Sequence, residues 1–596
     1  MREYTTPSVI SLRPEENLTD LVYGNAEQAP DCVSLARNDG VTWIDVTARE
    51  FADQVTRLAK GLLAAGVQPG DRVGLLSRTR YEWTLADFAI LTVGGVVVPI
   101  YETSSAAQIA WNLSDSEAMA VILETAAHRK TYEEIADQLP AIRHVWQIDA
   151  CDLDFLADEG AEVADEQIAR RRSEITGETL ATLIYTSGTT GRPKGCELLH
   201  RNFLFDARTT TTAMSDVFKE GTSTLLFLPL AHVLGRVIQY GTISAKVRLG
   251  HTGDVKNLIP DLAAFQPSFV LSVPRIFEKI YNASKIKAHS AGKGFIFDLA
   301  DGAAVGYSKS QDSGGLPNPI TLVQHFLFDQ LVYSKIRNSL GGKVRYSISG
   351  GAPLGARLGH FFRGAGITML EGYGLTETSA AATLNTPGAI RIGTVGRPVP
   401  GASARIADDG EILLKGDHVF AGYWRNEEAT RQVLEPDGWF HSGDLGEIDD
   451  DGFVRITGRK KEILVTAGGK NVSPAQLEDG IRAHALISQC MVVGDRRPFI
   501  AALITLDEEA LEGWKQRNGK TATTIAEIKN DPDLRATIDS AVADANKSVS
   551  KAESIRKYAI LDIDFTEEGG QMTPTLKLKR NVVLGEFGAE IEELYA

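Results

Sequence analysis

Cysteine is scarce: Cys32, Cys151, Cys196 and Cys490 are the four in 596 residues, and they lie far apart. That spacing suits neither a disulfide framework nor a metal finger, so a reducing compartment is the simpler reading. Long apolar runs are also missing. The longest candidate, Phe88 to Ile100, contains Thr92, Gly94 and Gly95. It falls short of the ~18 residues a membrane span requires and reads as a buried helix end feeding a buried strand. No basic-then-apolar leader opens the sequence, so the expected location is the cytoplasm. Positive charge is in deficit, with 62 Lys and Arg against 78 Asp and Glu. The net of -16 argues against a general nucleic-acid binder. No Gly-x-Ser-x-Gly elbow, His-Glu-x-x-His pair or close Cys/His set occurs, which weakens hydrolase and structural-zinc readings.

What is present begins with length. A chain of 596 residues exceeds one comfortable core, so two or more domains are expected. In the first 180 residues helical patterns alternate with short β-branched runs: a helix over Ala48–Ala65, a turn over Gly66–Asp71, a strand at Val73–Leu76, a helix over Tyr81–Thr92 and a strand at Val96–Ile100. Further strands are expected around Ser223–Leu228, Phe269–Val273 and Val344–Ser349. Strands separated by helices favour parallel sheets with both faces covered. Asn282 to Pro319 reads as a surface excursion. Phe326 to Leu340 reads as an amphipathic helix whose Phe and Leu serve as packing positions, with acyl-chain contact the alternative. After Gly393 the texture changes to short strands at Ala402–Ile406, Glu411–Leu414 and Phe453–Ile456. Asp408-Asp409-Gly410, Asp437-Gly438 and Asp450-Asp451-Gly452 punctuate them, predicting an antiparallel or barrel-like part. Beyond Gly458 a small α+β pattern follows, with a hinge near Arg459-Lys460-Lys461.

The most telling segment is Tyr185-Thr186-Ser187-Gly188-Thr189-Thr190-Gly191-Arg192-Pro193-Lys194-Gly195, directly after the apolar run Ala181–Ile184. Glycines bring backbone N–H groups close to a ligand, and hydroxyls with an ammonium supply donors to anionic oxygens. The loop suits phosphate, yet it does not fit G-x-x-x-x-G-K-[ST]. Four further constellations follow. Gly350-Gly351-Ala352-Pro353 would let a flat ligand lie against backbone, with Pro353 in the first turn of a helix running toward Phe362. In Tyr373-Gly374-Leu375-Thr376-Glu377, Tyr373 could stack on a purine, Thr376 could bind a phosphoryl oxygen and Glu377 could bind Mg²⁺. Asp444, in Trp439-Phe440-His441-Ser442-Gly443-Asp444, could accept both hydroxyls of a ribose. Arg459 offers a ribose or phosphate contact. Each has a plainer reading: a tight turn, a helix cap, an Asp satisfying its own turn, or surface charge. His232, without a visible acid or nucleophile partner, reads as packed or loop-supporting.

Together and in this order, these motifs resemble the AMP-forming adenylating enzymes, the superfamily of acyl-CoA synthetases, luciferases and peptide-synthetase adenylation domains. The resemblance covers roughly residues 20 to 590. It implies an α/β chain. A large N-terminal adenylation domain (1–458) of layered, parallel-rich sheets with a small barrel-like part would precede a mobile α+β C-terminal domain (459–596). Position by position it implies that Thr186, Ser187, Gly188, Thr189, Thr190, Gly191 and Lys194 hold the phosphates of ATP. Gly350, Gly351, Ala352 and Tyr373, with Gly374, would frame adenine. Thr376 would contact the α-phosphate, Glu377 would ligate Mg²⁺, and Asp444 and Arg459 would engage the nucleotide. Lys461 matches the hinge. Lys577 matches the adenylation lysine, although Leu576 stands where the family usually has Gly, which leaves Lys579 as a weaker candidate.

Within the superfamily the chain looks most like long-chain fatty-acid CoA ligases, on Leu327–Ile336 before Gly341–Arg345 and on Gly468-Gly469-Lys470-Asn471-Val472-Ser473-Pro474. That resemblance implies ATP, a fatty acid and CoA as substrates and an acyl-adenylate intermediate. Gly468, Gly469 and Lys470 would border the thiol channel, and His232 and Val233 would lie near the acyl entrance. Arg236 stands where some long-chain members have a gating Trp. Alternatives are transfer to a carrier protein, medium-chain or aryl acids, and a non-catalytic nucleotide-binding scaffold. Transient membrane contact stays open, though no sustained basic amphipathic helix marks such a surface. Oligomeric state is unreadable.

Overall fold

The computed structural model describes residues 1–596 except 187–191, 313–317, 523 and 574–576, together with the side chain of Val255. The expected α/β alternation is present. Strands Val96–Ile100, Arg72–Leu76, Ala120–Leu123, His144–Gln147 and Leu180–Thr186 run parallel in a seven-stranded sheet, which Lys194–Leu199 and Gly422–Tyr423 close in antiparallel fashion at one edge. A second sheet sets Phe269–Ser272, Tyr346–Ser349 and Thr368–Tyr373 parallel before two short antiparallel strands. A four-stranded sheet is built on Ser223–Leu226, Arg248–His251 and Val33–Asn38. The helices between strands form for local reasons. In Ala48–Ala64, Thr47 and Glu50 make a reciprocal capping box, a device worth about 1 kcal/mol. The helix then buries Phe51, Val55, Leu58 and Leu62 at helical spacing.

The change of texture after Gly393 is a change of architecture. Glu3–Thr5, Ser403–Ile406, Glu411–Lys415, Phe440–Ile448 and Val454–Arg459 form an antiparallel five-stranded sheet. It is the curled, half-barrel part of the large N-terminal region. A smaller α+β region follows. Its three-stranded sheet, Ile487–Val493, Ile500–Leu506 and Ile555–Ile560, is buried on both faces by helices. Among the described residues no helix is long and apolar enough to cross a membrane.

Three expectations fail in instructive ways. Asn282 to Pro319 is not an irregular excursion, because most of it belongs to helices Pro274–Ser290 and Gly294–Asp312. The glycines that suggested a loop sit on helix surfaces: a Cβ at Gly302 or Gly306 would meet nothing within 4 Å. The second helix buries Phe297, Ala300 and Ala304 against the helix Ala356–Gly364, where a Cβ at Gly364 would come within 2.2 Å of the Ala304 carbonyl oxygen. Phe326 to Leu340 is helical but only half interior. Val332, Tyr333, Ile336 and Leu340 are buried, whereas Phe326, Leu327 and Leu331 are exposed. Pro353, finally, precedes its helix by three residues and is not in its first turn.

Replacing Gly364 by Val should push these helices apart at a cost of about 1–3 kcal/mol. A lowered apparent melting temperature is the expected result. Unchanged melting would show that the two helices do not approach so closely.

Candidate active site

The candidate nucleotide site gathers at the carboxyl ends of parallel strands, where α/β sheets usually receive ligands. Tyr346–Ser349 leads into Gly350 and Gly351, and the adjacent Thr368–Tyr373 leads into Gly374. Ser349 pairs with Glu371, so the glycine pair lies beside Gly372 and Tyr373. Gly351 adopts a φ of +81° that a side chain would strain. Gly374 is required by proximity, since a Cβ there would stand 1.5 Å from the Ala380 carbonyl oxygen. Gly351 and Ala352 are exposed, Tyr373 is half-buried and Thr376 is buried.

Asp444 is the fixed point of the cluster. It is 5% exposed, and its two carboxylate oxygens accept from different elements. The Tyr373 hydroxyl donates to Oδ2 at 2.6 Å and Arg459 Nε to Oδ1 at 2.8 Å. Burial, and then the neighbouring Asp444 charge, push the Tyr373 phenol well above its ordinary pKa, so it stays a donor. Asp444 and Arg459 face each other across two antiparallel strands. The bend before Asp444 is held by Gly443 N–H donating to Glu411 and by the Ser442 hydroxyl donating to the Ile412 carbonyl.

The hairpin of Leu180–Thr186 and Lys194–Leu199 carries the proposed phosphate loop, with Thr186 and Lys194 directly paired across it. Ser187, Gly188, Thr189, Thr190 and Gly191 lie outside the described residues. The hairpin is braced from one side. The indole of Trp111 donates to the Pro193 carbonyl, and the Tyr185 hydroxyl donates to Asp115. The Lys194 ammonium lies 4.9 Å from the centre of the Tyr423 ring. Tyr423 also donates its hydroxyl to Glu377 at 2.9 Å. It thus bridges the hairpin lysine and the candidate metal carboxylate, a role sequence reasoning missed. No local signal marks it, because it lies 46 residues from Glu377 and reaches the site by pairing of Gly422–Tyr423 with the hairpin's edge.

Lys577 comes from the small C-terminal region. Its side chain keeps contact with solvent, but protein surrounds the amine. Lost hydration lowers its pKa, as does the like charge of Arg459, against the opposing pull of Asp444, Glu377 and Glu462. The same lysine charge is felt at His232, whose pKa is pushed down to about 3 chiefly by burial. His232 is therefore neutral. It caps the helix Val233–Ser244 by accepting from the Leu234 N–H at Nδ1, so the loop-supporting reading is realised even though the residue borders the site. Val233 is buried.

Other candidates lie apart from this cluster. Gly468, Gly469 and Lys470 form an exposed hairpin turn, and Lys470 pairs with Glu553 within the same small region. Lys461 sits, exposed, in the short turn Lys460–Glu462 directly after Arg459. Arg236 is fully buried in an ion pair with Asp87. Tyr240, Thr182 and Gln239 share that network, and the guanidinium lies 5.4–5.5 Å from the ring centres of Trp83, Phe203 and Tyr240. It is locked in the core in this conformation. Removing one partner of such a pair costs about 3–5 kcal/mol.

Among the described residues no three His, Cys, Asp or Glu side chains cluster as a metal cage. Glu377 alone suits Mg²⁺, which is commonly bound by one or two carboxylates together with substrate phosphates.

Known proteins resemble this chain along most of its length. A family model described as AMP-binding enzyme matches residues 23–424, and one described as AMP-binding enzyme C-terminal domain matches 461–596. The chain is 52% identical over 599 residues to the long-chain-fatty-acid–CoA ligase FadD15 of Mycobacterium tuberculosis, covering 100% of each. It is 30% identical to the human long-chain-fatty-acid–CoA ligase ACSBG1, covering 96% of this chain and 84% of that one. Its fold is similar to the crystal structure of the adenylation domain of a Mycobacterium chelonae carboxylate reductase, with a TM-score of 0.74 at 21% identity over 98% and 92% of the two chains.

Tyr423→Phe removes the hydroxyl that orients Glu377 while keeping the ring near Lys194. The expected effect is a rise of about 10-fold in the Mg²⁺ concentration needed for half-maximal turnover. An unchanged Mg²⁺ dependence would show that the hydrogen bond does not position the carboxylate.

Proposed function

This chain belongs to the AMP-binding enzyme family, and from that premise we propose that it is an AMP-forming long-chain fatty-acid:CoA ligase. It converts ATP, a fatty acid and CoA into acyl-CoA, AMP and pyrophosphate through an acyl-adenylate. The reading is supported by Lys577 of the C-terminal region standing within reach of the charges of Arg459, Asp444 and Glu377, in a chain 52% identical over its full length to a ligase of that name.

The residues divide the work as follows. Asp444, oriented by Tyr373 and Arg459, accepts the ribose hydroxyls. Gly350, Gly351, Ala352, Tyr373 and Gly374 frame adenine. Thr186, Lys194 and Thr376 donate to phosphate oxygens, with Ser187, Gly188, Thr189, Thr190 and Gly191 completing the loop between them. Glu377 would hold Mg²⁺, which supplies charge neutralisation at the phosphates. The fatty carboxylate, entering near His232 and Val233, attacks the α-phosphorus in line, and pyrophosphate leaves with the P–O bonding electrons. Lys577, as the ammonium, stabilises charge on the carboxylate and transferring oxygens; positioning and electrostatics provide most of the rate. The neutral His232 adds no charge beside the entering carboxylate.

For the second half-reaction the tail domain, residues 459–596, turns about Lys461 and withdraws Lys577. Gly468, Gly469 and Lys470 then border the thiol path. The CoA sulfur attacks the acyl carbonyl, the thiol proton is lost, and AMP departs. The contacts of the Gly468–Lys470 turn within its own region fit the adenylating arrangement, in which that turn has no part. The enzyme works in the cytoplasm and meets its bilayer-partitioned substrate by transient membrane contact.

With ATP, Mg²⁺, CoA and acids of graded length, the long-chain acids are expected to yield thioester and AMP. Rates on the aryl acids should be at least ~100-fold lower, given about 0.8 kcal/mol for each buried CH₂. Adenylate without thioester on free CoA would instead favour a carrier-protein acceptor, and ADP as the sole nucleotide product would overturn the reading. Lys577→Ala should lower adenylate formation by at least ~100-fold and leave thioester formation from supplied acyl-adenylate largely intact.

The pH dependence has a definite sign. Because the Lys577 pKa is depressed, its charge is lost at a lower pH than for an ordinary lysine. The alkaline limb of kcat/KM for adenylation, which reports the free enzyme, is expected below the usual ~10.4. Lys577→Arg should move that limb upward, and an identical limb in both proteins would assign it to another group.

A further inference from the structure

The segment that carries Thr376 and Glu377 is bent in a way its own residues resist. After the short turn Thr376–Thr378, Ser379 and Ala380 adopt φ values of +54° and +102°. Residues with a Cβ rarely enter that left-handed side of backbone space, and they stay there only where their surroundings fix them. The turn also closes on itself. The Ser379 N–H donates to the Thr376 carbonyl at 3.1 Å, and the Ala380 N–H donates to the Leu375 carbonyl at 3.2 Å. The backbone angles at Ser379 and Ala380 therefore bear on where Thr376 and Glu377 stand.

The far end of this turn is held by a buried acid. Asp206 is 0% exposed and lies on the helix His200–Ala213, which starts directly after the phosphate-hairpin strand Lys194–Leu199. Its Oδ2 accepts the Ala381 N–H at 2.9 Å, and its Oδ1 accepts the Thr210 hydroxyl at 2.9 Å. One turn earlier on the same helix face, Asn202 Nδ2 donates to the Asp417 and Val419 carbonyls at 2.7 and 3.0 Å. That second segment grips the turn as well. The Phe420 N–H donates to the Glu377 carbonyl at 2.9 Å, and the Ser379 hydroxyl donates to the His418 carbonyl at 2.9 Å. One helix thus links the phosphate hairpin to both backbone segments around Glu377. Burial pushes the Asp206 carboxyl up to about 8, and among the described residues no cation pairs with it. A group so placed serves by accepting hydrogen bonds rather than by its charge.

We propose that Asp206 is a positioning residue for Mg²⁺–ATP: by holding the Ala381 N–H it keeps Ser379 and Ala380 left-handed, and so sets Thr376 and Glu377 relative to the phosphate hairpin. The inference rests on the ligase reading, which assigns Glu377 to Mg²⁺ and Thr376 to a phosphate oxygen. Without that acceptor Ala380 relaxes toward negative φ, the turn opens and the Glu377 carboxylate shifts. Groups one step behind a metal ligand tune metal affinity in this way. The ribose carboxylate Asp444 is held by Tyr373 and Arg459 instead, so the loss concentrates in the metal–phosphate part of the ligand.

The test is calorimetric titration of the full-length protein with ATP and Mg²⁺, with ATP in EDTA, and with adenosine. Asp206→Ala is expected to weaken Mg²⁺–ATP binding by at least ~10-fold. The difference from wild type should shrink in EDTA, and adenosine binding should stay near the wild-type value. Asp206→Asn keeps an oxygen for the Ala381 N–H, with its amide toward Thr210, and should recover most of the Mg²⁺–ATP affinity. In Asp206→Ala/Ala380→Gly no Cβ opposes the positive φ, so affinity should return toward wild type. That double variant also carries the comparison if Asp206→Ala alone does not fold. Equal Mg²⁺–ATP affinity in wild type and Asp206→Ala overturns the proposal. So does a parallel loss of adenosine binding, which a merely loosened core would give, or a failure of Ala380→Gly to restore any affinity. A loss in Asp206→Asn as large as in Asp206→Ala assigns the effect to charge and also overturns it. A wild type that binds Mg²⁺–ATP yet forms no thioester overturns the ligase reading, while the ranking of affinities still decides the role of Asp206.

Discussion

Three parts of the chain are tied together at one carboxylate. Asp444 stands on the antiparallel sheet, Tyr373 reaches it from the end of a parallel sheet, and Arg459 reaches it from the last strand before the C-terminal region. A nearly buried carboxylate needs such donors, because leaving it unpaired costs several kcal/mol. The pairing therefore fixes the relative placement of two sheets and of the segment on which the smaller region begins. The charge of Asp444 also reaches the Lys577 amine of the smaller region.

A second brace works the same way at the other end. Tyr423 touches both the Lys194 ammonium and the Glu377 carboxylate, so two charged groups from distant stretches share one aromatic side chain. Both braces use tyrosines whose pKa values are raised by burial. A hydroxyl that cannot ionise in the working range remains a hydrogen-bond donor throughout it. Two neutral phenols, with the Arg459 guanidinium, are thus aimed at the carboxylates of Asp444 and Glu377.

Much of this was legible in the sequence where chemistry and local geometry coincide. The alternation of helix and strand over Ala48–Ile100 appears almost residue for residue, since apolar periodicity and glycine turns report directly on the backbone. The Asp-Gly turns at Gly410 and Gly452 separate antiparallel strands as expected, whereas Asp437-Gly438 joins the helix Glu427–Val433 to a strand; all three glycines have positive φ. Contacts between distant segments were harder to read. Nothing near Tyr423 signals Glu377, and nothing near Arg236 signals Asp87, 149 residues away. The helix Gly294–Asp312 was hidden because glycine disfavours helix locally, while burial of Phe297 and close packing at Gly364 outweigh that preference.

The contacts that hold the small region against the large one also have a character of their own. Arg275, one residue into the helix Pro274–Ser290, donates to the Ser488 hydroxyl at 3.0 Å and lies 3.6 Å from Asp507. Farther along the same helix, Ile286 packs against the small region's core, and a Cβ at Gly513 would meet it at 3.6 Å. Among the described residues these contacts combine polar and charged bonds with an aliphatic side chain. Such an interface parts at modest cost and regains its geometry through charge, so dissolved ions shift its balance by weakening the Arg275 attraction without loosening either core.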